Sequence, residues 1–339
     1  MTLRDAIHRA VDGEDLEPAM MESAVRQVLQ GEATEAEIAA LSVALRMKGE
    51  TAEEIAAAVR AMRAACTPVD VRVDGPLVDT CGTGGDGLAT FNVSTVSAVV
   101  VASAGVSVAK HGNRGVSSPT GSADVLEALG VRLDLTADGV RRCIESAGIG
   151  FMFAPLFHSA LRHAAPVRRQ LGLRTFWNLL GPLANPAPVT HQLLGVYDPG
   201  RVEQLATVLG MLGIEGAWVV HGEGGYDEIA VQGYTEVAEL RDGAVRTFTI
   251  EPSDFDLEPV SPETLVGGDR VRNAQMFRAV LDGEQGGPRT AVLLNAGAML
   301  VVSGVAATLP EGAARAAEAI DRGDAKRTLE RWVRASLEA

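Results

Sequence analysis

Residues 78–114, VDTCGTGGDGLATFNVSTVSAVVVASAGVSVAKHGNR, place two polar loops on either side of a long apolar segment. The first loop, residues 82–87, has four glycines in six positions and follows an apolar, strand-like run. Glycine lets a backbone bend sharply and approach a ligand closely. The second loop, residues 110–114, carries three basic side chains after another apolar run. Two such loops at the ends of neighbouring strands predict a site for a phosphorylated molecule.

Length and composition favour a large α/β enzyme. The chain has 339 residues, enough for two domains, and is 47% hydrophobic but only 4% aromatic, with 37 glycines. It has 44 acidic and 30 basic side chains, which give a formal net charge of −14. General binding of nucleic acid or of an anionic membrane needs excess Lys and Arg, so we expect neither partner.

Cysteine usage and the first residues indicate the cytoplasm. Cys66, Cys81 and Cys143 are widely spaced and form no CxxC pair, so neither a disulfide framework nor a zinc site is expected. Residues 1–17 are charged and lack the apolar core of a signal peptide. The longest apolar run, residues 96–109, is shorter than the ~20 residues of a membrane helix.

Residues 1–70 predict a small helical domain. Thr34-x-x-Glu37 and Thr51-x-x-Glu54 are capping boxes, and each precedes an apolar-periodic run. A unit this small rarely holds a core alone, so it is expected to pack against the rest of the chain or against a second copy of itself.

Residues 71–164 and 187–339 predict a large α/β domain with a central mixed, mainly parallel sheet flanked by helices. Asn92, Ser122 and Thr136 are predicted to cap helices between strands, and residues 237–240 and 245–250 are predicted to pair antiparallel. Helices from about residues 165–186 are expected to rejoin the small domain.

Several polar groups are candidates for ligand contacts. Asn92, Ser94 and Thr95 lie at a predicted helix N-terminus, where unpaired N–H groups attract anions, although they are also compatible with a simple helix cap. The second loop has the densest set of donors in the chain, and we interpret this set as ligand-binding: Lys110, His111, Asn113, Arg114, Ser117 and Ser118.

Asp227 and Glu228 follow an apolar strand and suit Mg²⁺, which takes one or two carboxylates, although acidic loop residues are often merely solvated. Arg168 lies in a helix that also presents Arg162 and Arg169, and their spacing does not say which one points inward. An inward arginine would hold a planar carboxylate through two parallel hydrogen bonds. His158 is equally compatible with a ligand contact and a structural role.

In these residues and the motifs around them, the sequence closely resembles the anthranilate phosphoribosyltransferase family, of the nucleoside-phosphorylase-like class. The resemblance covers most of residues 77–303, and its motifs are DTCGTGGDG, NVST, KHGNR, SSxxGSADVLEALG, RxxLGxRTxxNLLGPLANP, VVHGxGxYDE and NAxxxRAVLxG. It differs from many members at Gly115 and at Pro119-Thr120, which bear on the phosphate contacts of that loop.

The resemblance implies transfer of 5-phosphoribosyl from phosphoribosyl pyrophosphate (PRPP) to the anthranilate amine, with release of pyrophosphate, in tryptophan biosynthesis. It implies a homodimer formed through the helical domain, a Mg²⁺ cofactor held by Ser94, Asp227 and Glu228, and catalytic roles for Arg168, Lys110 and Asn113. Anthranilate would contact Gly82, His111, Asn113, His158, Arg168, Gly181 and Pro182. PRPP would contact Gly82, Gly84, Gly85, Asp86, Thr90, Asn92, Ser94, Thr95, Lys110, His111, Gly112, Asn113, Ser117 and Ser118.

Two alternative functions stay open at this point. A pyrimidine nucleoside phosphorylase would share the architecture, but with a different glycine loop and without the RxxLGxRT segment. A non-enzymatic, nucleic-acid-binding relative should be basic and should lack the arginine at position 168.

Overall fold

Four helices form a bundle at the start of the chain in the computed structural model, which describes residues 2–84, 87–115 and 119–339. They are α1 (Leu3–Val11), α2 (Pro18–Leu29), α3 (Glu35–Lys48) and α4 (Ala52–Ala64). The hydroxyls of Thr34 and Thr51 accept hydrogen bonds from the backbone N–H groups of Glu37 and Glu54, which confirms both capping boxes. Helix α1 packs against α2 and α3, and α2 packs against α4.

A mixed sheet forms the centre of the remaining chain. The described residues contribute seven strands: β1 (Leu77–Gly82), β2 (Ser107–Gly112), β3 (Ile149–Phe153), β4 (His191–Gly195), β5 (Gly216–Gly222), β6 (Thr235–Arg241) and β7 (Ala244–Ile250). Their order is β3-β2-β1-β4-β5-β6-β7. The first five strands in this order pair in parallel, and β6 pairs antiparallel with both β5 and β7. This confirms the predicted mixed, mainly parallel sheet and the antiparallel pair at its edge.

The other helices flank or extend this sheet. They are α5 (Val93–Ser103), α6 (Ser122–Leu129), α7 (Ala137–Ala147), α8 (Ala154–Phe157), α9 (Ala165–Leu171), α10 (Trp177–Leu183), α11 (Val202–Met211), α12 (Arg270–Leu281), α13 (Gly287–Val302), α14 (Leu309–Asp321) and α15 (Asp324–Glu338). Short 3₁₀ helices occur at Ser159–His163, Pro199–Arg201, Pro252–Phe255 and Pro262–Leu265. None of the helices in the described ranges is long and apolar enough to cross a membrane.

Helix α5 is buried nearly all round because protein covers it on both sides. It packs on β1 and β2, and α13 and α15 cover its other side. An all-apolar helix is stable only in such a position, which explains the run of valines and alanines between the two polar loops. On the other side of the chain's core, α11 packs on β5, β6 and β7 and also contacts α4.

The strand order places the polar loops at one edge of the sheet. Successive strands run outward from β1 to β3, and the chain then returns to the other side of β1 as β4. Ligands of open α/β sheets bind at the carboxyl ends of the strands where the order reverses in this way. The glycine loop continues from the end of β1, and the acidic pair follows β5. The predicted second loop begins three residues too early, because residues 110–112 are the last residues of β2 and only residues 113 and 114 follow the strand. All three segments lie at this edge.

Polar contacts join the helical bundle to the rest of the chain. The buried Glu50 carboxylate accepts a hydrogen bond from Arg201 Nη2 at 2.6 Å, and Arg63 Nη2 donates to the Leu183 carbonyl at 2.8 Å. Helix α9 packs on α3, and α10 packs on α4. On these contacts we propose that residues 165–186 belong with the helical domain of residues 1–70, and that residues 71–164 and 187–339 form the α/β domain.

One predicted helix cap is wrong, and a second has the predicted position without the expected hydrogen bond. Asn92 precedes α5, but its side chain bonds the Thr120 carbonyl and Asn273 instead of an N–H group of the helix. Ser122 is the first residue of α6 and not its cap, since Gly121 precedes it. Tertiary partners compete with the helix terminus for these polar side chains, and local sequence does not reveal such partners.

Candidate active site

Three strands end in glycines over which a single loop crosses. These are Gly82 in β1, Gly195 in β4 and Gly222 in β5. A Cβ atom on Gly195 would lie 1.6 Å from the Asp227 carbonyl oxygen, and one on Gly222 would lie 2.7 Å from the Glu228 carbonyl oxygen. Any side chain at these positions would push the loop away from the sheet. The glycines therefore bring the acidic pair onto the strand ends.

The acidic pair is bonded to both sides of the glycine loop. The backbone N–H of Gly84 donates to Asp227 Oδ2 at 2.7 Å, and that of Ser94 donates to Glu228 Oε1 at 3.1 Å. Ser94 lies in the first turn of α5, where the helix dipole favours negative charge. Residues more than 130 positions apart in the chain thus form one site.

A cavity of about 300 Å³ opens between these elements, and we call it the polar cavity. It brings together the predicted residues Thr90, Asn92, Ser94 and Thr95 with the two strand-end loops. Its described lining is residues 81–84, 89–95, 110–115, 120–122, Asp227 and Glu228. Four of the predicted residues lie outside the described residues: Gly85, Asp86, Ser117 and Ser118.

Lys110 provides a buried positive charge at the polar cavity. Its side chain is only 1% exposed, and Nζ donates to the Thr80 carbonyl at 2.6 Å and to Ser94 Oγ at 3.4 Å. Burial lowers the pKa of Lys110, while the nearby Asp79 opposes that shift. The amine therefore lies at the base of the cavity and also fixes the Ser94 hydroxyl.

The other two basic residues of the second loop do not add free positive charge. Arg114 pairs with Asp124 at 2.9 Å and with Glu127 at 3.0 Å, and these carboxylates raise its pKa. Burial lowers the pKa of His111 to about 3, so its ring is neutral near pH 7. The expectation of three basic side chains for the phosphates is thus corrected, because two of them are neutralised by ion pairing or by burial.

Asp79 is a fully buried acid behind the site, and the sequence reasoning missed its role. Burial raises the pKa of its carboxyl to about 6, against the effect of Lys110. Its oxygens accept hydrogen bonds from Asn185 Nδ2 at 2.7 Å and from the His111 backbone N–H at 3.4 Å. The feature of the sequence that could have indicated its role is the position of an acid within a predicted buried strand. Asp79 thereby links β1 to β2 and to the segment after α10.

A second cavity of about 460 Å³ adjoins the first, and we call it the arginine cavity. It shares residues 81–84 and 111–113 with the polar cavity. Its remaining walls come from α4 and the segment 154–182, together with Tyr197. They are Met62, Ala154, His158, Leu161, Arg168, Gly172, Leu173, Arg174, Trp177, Asn178, Gly181, Pro182 and Tyr197.

Arg168 is the arginine of its helix that faces inward. It lines the arginine cavity, while Arg162 and Arg169 are exposed. Burial lowers the pKa of Arg168, and within the described ranges no carboxylate opposes that shift and no hydrogen bond or ion pair holds the guanidinium. A mostly buried cation without a protein partner indicates an anionic ligand.

Two neutral histidines lie side by side at the arginine cavity. The ring centroids of His111 and His158 are 5.2 Å apart, and burial lowers the pKa of His158 to about 4, with the Ala184 backbone opposing the shift. Within the described residues, His111 Nε2 and both ring nitrogens of His158 make no hydrogen bond of ordinary geometry. Buried polar atoms are normally paired, so these nitrogens point to a ligand.

Two further residues of this cavity, and one that supports its wall, were also missed. The Arg174 guanidinium lies 3.9 Å from the centre of the Tyr197 ring, and both residues line the cavity. Gln192 Nε2 donates to the Pro182 carbonyl at 2.7 Å and so holds the wall formed by Gly181 and Pro182. The contacting residues lie apart in the sequence, so local sequence patterns did not predict these contacts.

The predicted metal ligands are hard oxygen donors. Asp227, Glu228 and Ser94 border the polar cavity together. Within the described ranges no cluster of three or more His, Cys, Asp or Glu side chains is arranged for a metal ion. Two carboxylates and a hydroxyl fit Mg²⁺, which leaves most of its positions to water and phosphate oxygens, better than they fit zinc.

The fold and the site are those of a glycosyl transferase. Residues 74–326 match the family described as the glycosyl transferase family, a/b domain, and residues 4–66 match its helical bundle domain. Among curated relatives, the anthranilate phosphoribosyltransferase of Myxococcus xanthus is 53% identical over 99% of this chain and 100% of its own length. That of Symbiobacterium thermophilum is 51% identical over 97% and 96%.

Solved structures agree with these relatives. The anthranilate phosphoribosyltransferase of Thermus thermophilus has a TM-score of 0.93 and 44% identity, covering 98% of this chain and 99% of its own. The Saccharomyces cerevisiae enzyme in complex with PRPP and Mg has a TM-score of 0.89 and 28% identity, covering 99% and 98%. The chain belongs to the glycosyl transferase family and, within it, to the anthranilate phosphoribosyltransferases.

We expect Gly195→Ala to destabilise the protein, because the added methyl would meet the Asp227 carbonyl at 1.6 Å and the loop would have to move. Overpacking of this kind costs about 1–3 kcal/mol, and the urea unfolding midpoint should fall accordingly. Gly139→Ala is the matched control, since its added Cβ would have its first neighbour at 3.4 Å. Equal midpoints for the two variants would contradict the close contact.

Proposed function

We propose that the two adjoining cavities hold the two substrates of an anthranilate phosphoribosyltransferase. PRPP occupies the polar cavity and anthranilate occupies the arginine cavity, so that the anthranilate amine meets ribose C1 at their shared wall. The observation that carries this proposal is the unpaired, mostly buried guanidinium of Arg168, in a cavity that shares residues 81–84 and 111–113 with a cavity of phosphate-binding character.

Backbone and side-chain donors of the polar cavity bind the phosphates of PRPP. The glycine loop after β1 and the N-terminus of α5 line this cavity, and the dipole of α5 favours negative charge there. The N–H groups of Gly84 and Ser94 are taken by the carboxylates of Asp227 and Glu228, so side-chain donors supply most of the phosphate contacts. The proposed contacts are the residues that the family resemblance assigns. They are Gly82, Gly84, Gly85, Asp86, Thr90, Asn92, Ser94, Thr95, Lys110, His111, Gly112, Asn113, Ser117 and Ser118.

Mg²⁺ is the proposed cofactor, and Asp227, Glu228 and the Ser94 hydroxyl are its proposed ligands. A bound Mg²⁺ would neutralise charge on the pyrophosphate oxygens. The chain holds the two carboxylates in place through the N–H groups of Gly84 and Ser94. The Saccharomyces cerevisiae structure with PRPP and Mg supports this assignment.

Arg168 binds the anthranilate carboxylate, and the surrounding walls orient the ring. Gly82, Gly181 and Pro182 shape the cavity, while Asn113, His111 and His158 offer polar contacts. Because both imidazoles are neutral near pH 7, they do not compete with Arg168 for the carboxylate. A related enzyme has been solved in complex with 4-fluoroanthranilate, which supports a site for this ring.

In the reaction, the anthranilate nitrogen forms a bond to ribose C1 while the bond from C1 to pyrophosphate breaks. The amine then loses one proton. An aromatic amine is already neutral at pH 7, so the main task of the chain is to hold it in line with C1, and positioning can supply about 7–11 kcal/mol in favourable cases. Lys110, at the base of the polar cavity, stabilises the negative charge that develops on the leaving group.

We expect Arg168→Ala to raise the KM for anthranilate at least tenfold while the KM for PRPP changes little. The reason is that Arg168 lines the arginine cavity but not the polar cavity. Loss of a charged hydrogen-bond pair costs about 1.5–3 kcal/mol, which corresponds to roughly 10- to 150-fold in affinity. Steady-state kinetics with each substrate varied in turn measures both constants.

Arg169→Ala is the matched control, because this neighbouring arginine is exposed. It should leave both constants close to those of the unaltered protein. An equal rise of both KM values in Arg168→Ala would argue against a carboxylate contact.

The overall reaction is tested by the loss of anthranilate fluorescence, which should require both PRPP and Mg²⁺. The double variant Asp227→Ala, Glu228→Ala should lose Mg²⁺-dependent turnover by at least ~10²-fold, the size expected when a charge-stabilising group is removed. Glu223→Ala serves as control, since this carboxylate accepts from the Tyr234 N–H and does not line the polar cavity. Unchanged turnover in the double variant would remove the metal role. Phosphorolysis of a nucleoside without anthranilate consumption would favour the phosphorylase alternative.

We propose that a homodimer forms through the helical domain. Met47 on α3 is 82% exposed and Val11 on α1 is 67% exposed, and these helices pack on each other. Met47→Glu should shift the sedimentation coefficient towards that of a monomer, because a charge in an apolar interface is costly. Met211→Glu, at an exposed methionine on α11, should not. A Met47→Glu variant that sediments like the unaltered protein would contradict this interface.

A cytoplasmic location and the absence of nucleic-acid and membrane partners stay predictions. The net charge of −14 supports them. Salt-sensitive binding to DNA without turnover would instead support the nucleic-acid-binding alternative.

A further inference from the structure

The motif NAxxxRAVLxG, which begins at Asn273, has no part in the proposed chemistry. Asn273 lies in the first turns of α12 and is buried, although asparagine has poor helix propensity. Its Oδ1 accepts from the Gly268 N–H at 2.8 Å, and its Nδ2 donates to Asn92 Oδ1 at 3.0 Å. Asn273 thus reaches Asn92, which borders the polar cavity, from 181 residues away in the sequence.

These bonds belong to a closed circuit, which we call the amide ring. Asn92 Nδ2 donates to the Thr120 carbonyl at 3.2 Å, and the Thr120 hydroxyl donates to the Gly268 carbonyl at 2.8 Å. Gly268 closes the circuit because its N–H is bonded to Asn273. The members of the ring, from three separate segments, are Asn92, Thr120, Gly268 and Asn273.

Backbone groups at both ends of the two amides fix their orientation. The Gly268 N–H can only donate, so the oxygen of Asn273 must face it and the nitrogen of Asn273 must face Asn92. The Thr120 carbonyl can only accept, so Asn92 must turn its nitrogen towards it. If the donor of Asn273 were removed, the Thr120 carbonyl alone would hold the Asn92 amide in this orientation.

Residues 265–267, which directly precede Gly268, bond the backbone that follows the glycine loop. Gly267 N–H donates to the Ala89 carbonyl at 2.9 Å, and Phe91 N–H donates to the Leu265 carbonyl at 2.9 Å. Ala89 has φ of +51°, in the left-handed region that costs an L-residue about 1–2 kcal/mol. A Cβ on Gly267 would lie 2.6 Å from Asn273 Oδ1, so Asn273 packs directly on the backbone of Gly267.

We propose that Asn273 is a positioning residue for PRPP: through the amide ring it keeps the nitrogen of Asn92, and not its oxygen, available at the polar cavity. The proposal rests on the assignment of PRPP to that cavity. One N–H of the Asn92 amide is used by Thr120, and the other is a donor for a phosphate oxygen. A carbonyl oxygen presented there would repel the same phosphate.

Asn273→Asp tests the proposal because it keeps the acceptor for Gly268 and replaces the donor to Asn92 by an oxygen. We expect the KM and the calorimetric Kd for PRPP to rise about tenfold, the effect of one polar group left without its partner. The KM for anthranilate should stay within about twofold, because Asn92 does not line the arginine cavity. Ser336→Ala is the control. It removes a buried hydroxyl that accepts from the Arg132 N–H at 3.0 Å and lines neither cavity, so it should lower stability without changing either KM.

Thr120→Val provides a second break in the ring that keeps the shape of the side chain. It removes the hydroxyl bond to Gly268 and should also raise the Kd for PRPP, whereas Thr120→Ser, which keeps a hydroxyl, should recover most of the affinity. These two Thr120 variants test the proposal even if Asn273→Asp proves unstable.

An unchanged Kd for PRPP in both Asn273→Asp and Thr120→Val would overturn the proposal, and so would equal rises of the two KM values. If the unaltered protein binds PRPP but does not consume anthranilate, the proposed function fails, while the Kd comparison still tests the ring by itself.

Discussion

The crossing of one loop over three glycine strand ends is the constraint on which the site depends. Asp227 passes so close to Gly195 that a methyl group there would overlap its carbonyl, and the neighbouring strands end in Gly82 and Gly222 for the same reason. This contact brings two carboxylates to the N–H groups of Gly84 and Ser94. Without it, the glycine loop and the acidic pair would be separate surface loops on one edge of a sheet.

Burial decides which charges remain at this edge. Lys110 lies under the polar cavity with a lowered pKa, Asp79 beside it has a raised one, and His111 loses its charge near pH 7. Arg114 has its charge satisfied by Asp124 and Glu127. The result is a cavity of hydrogen-bond donors above one buried cation, next to a second cavity with Arg168. Such an arrangement separates the demands of a phosphorylated donor from those of a carboxylate-bearing acceptor.

Local patterns in the sequence predicted what local physics determines. The capping boxes at Thr34 and Thr51 and the antiparallel pair at the sheet edge follow from neighbouring residues, and the structure confirms them. Asn92 lies at the predicted cap position, but a partner 181 residues away takes its side chain. The contacts of Asp79, Gln192 and Asn273 were not predicted for the same reason. The inward direction of Arg168 also depends on helix packing, which spacing alone does not encode.

The two cavities draw on different parts of the chain, and this has a consequence for how the protein can vary. The described lining of the polar cavity comes wholly from segments around the sheet, whereas the arginine cavity takes Met62, Arg168 and Trp177 from the helices that join the bundle. Substitutions in those helices can reshape the space for the acceptor while the strand-end frame stays intact. In the proposed function, recognition of the leaving group and choice of the nucleophile can therefore change independently within one fold.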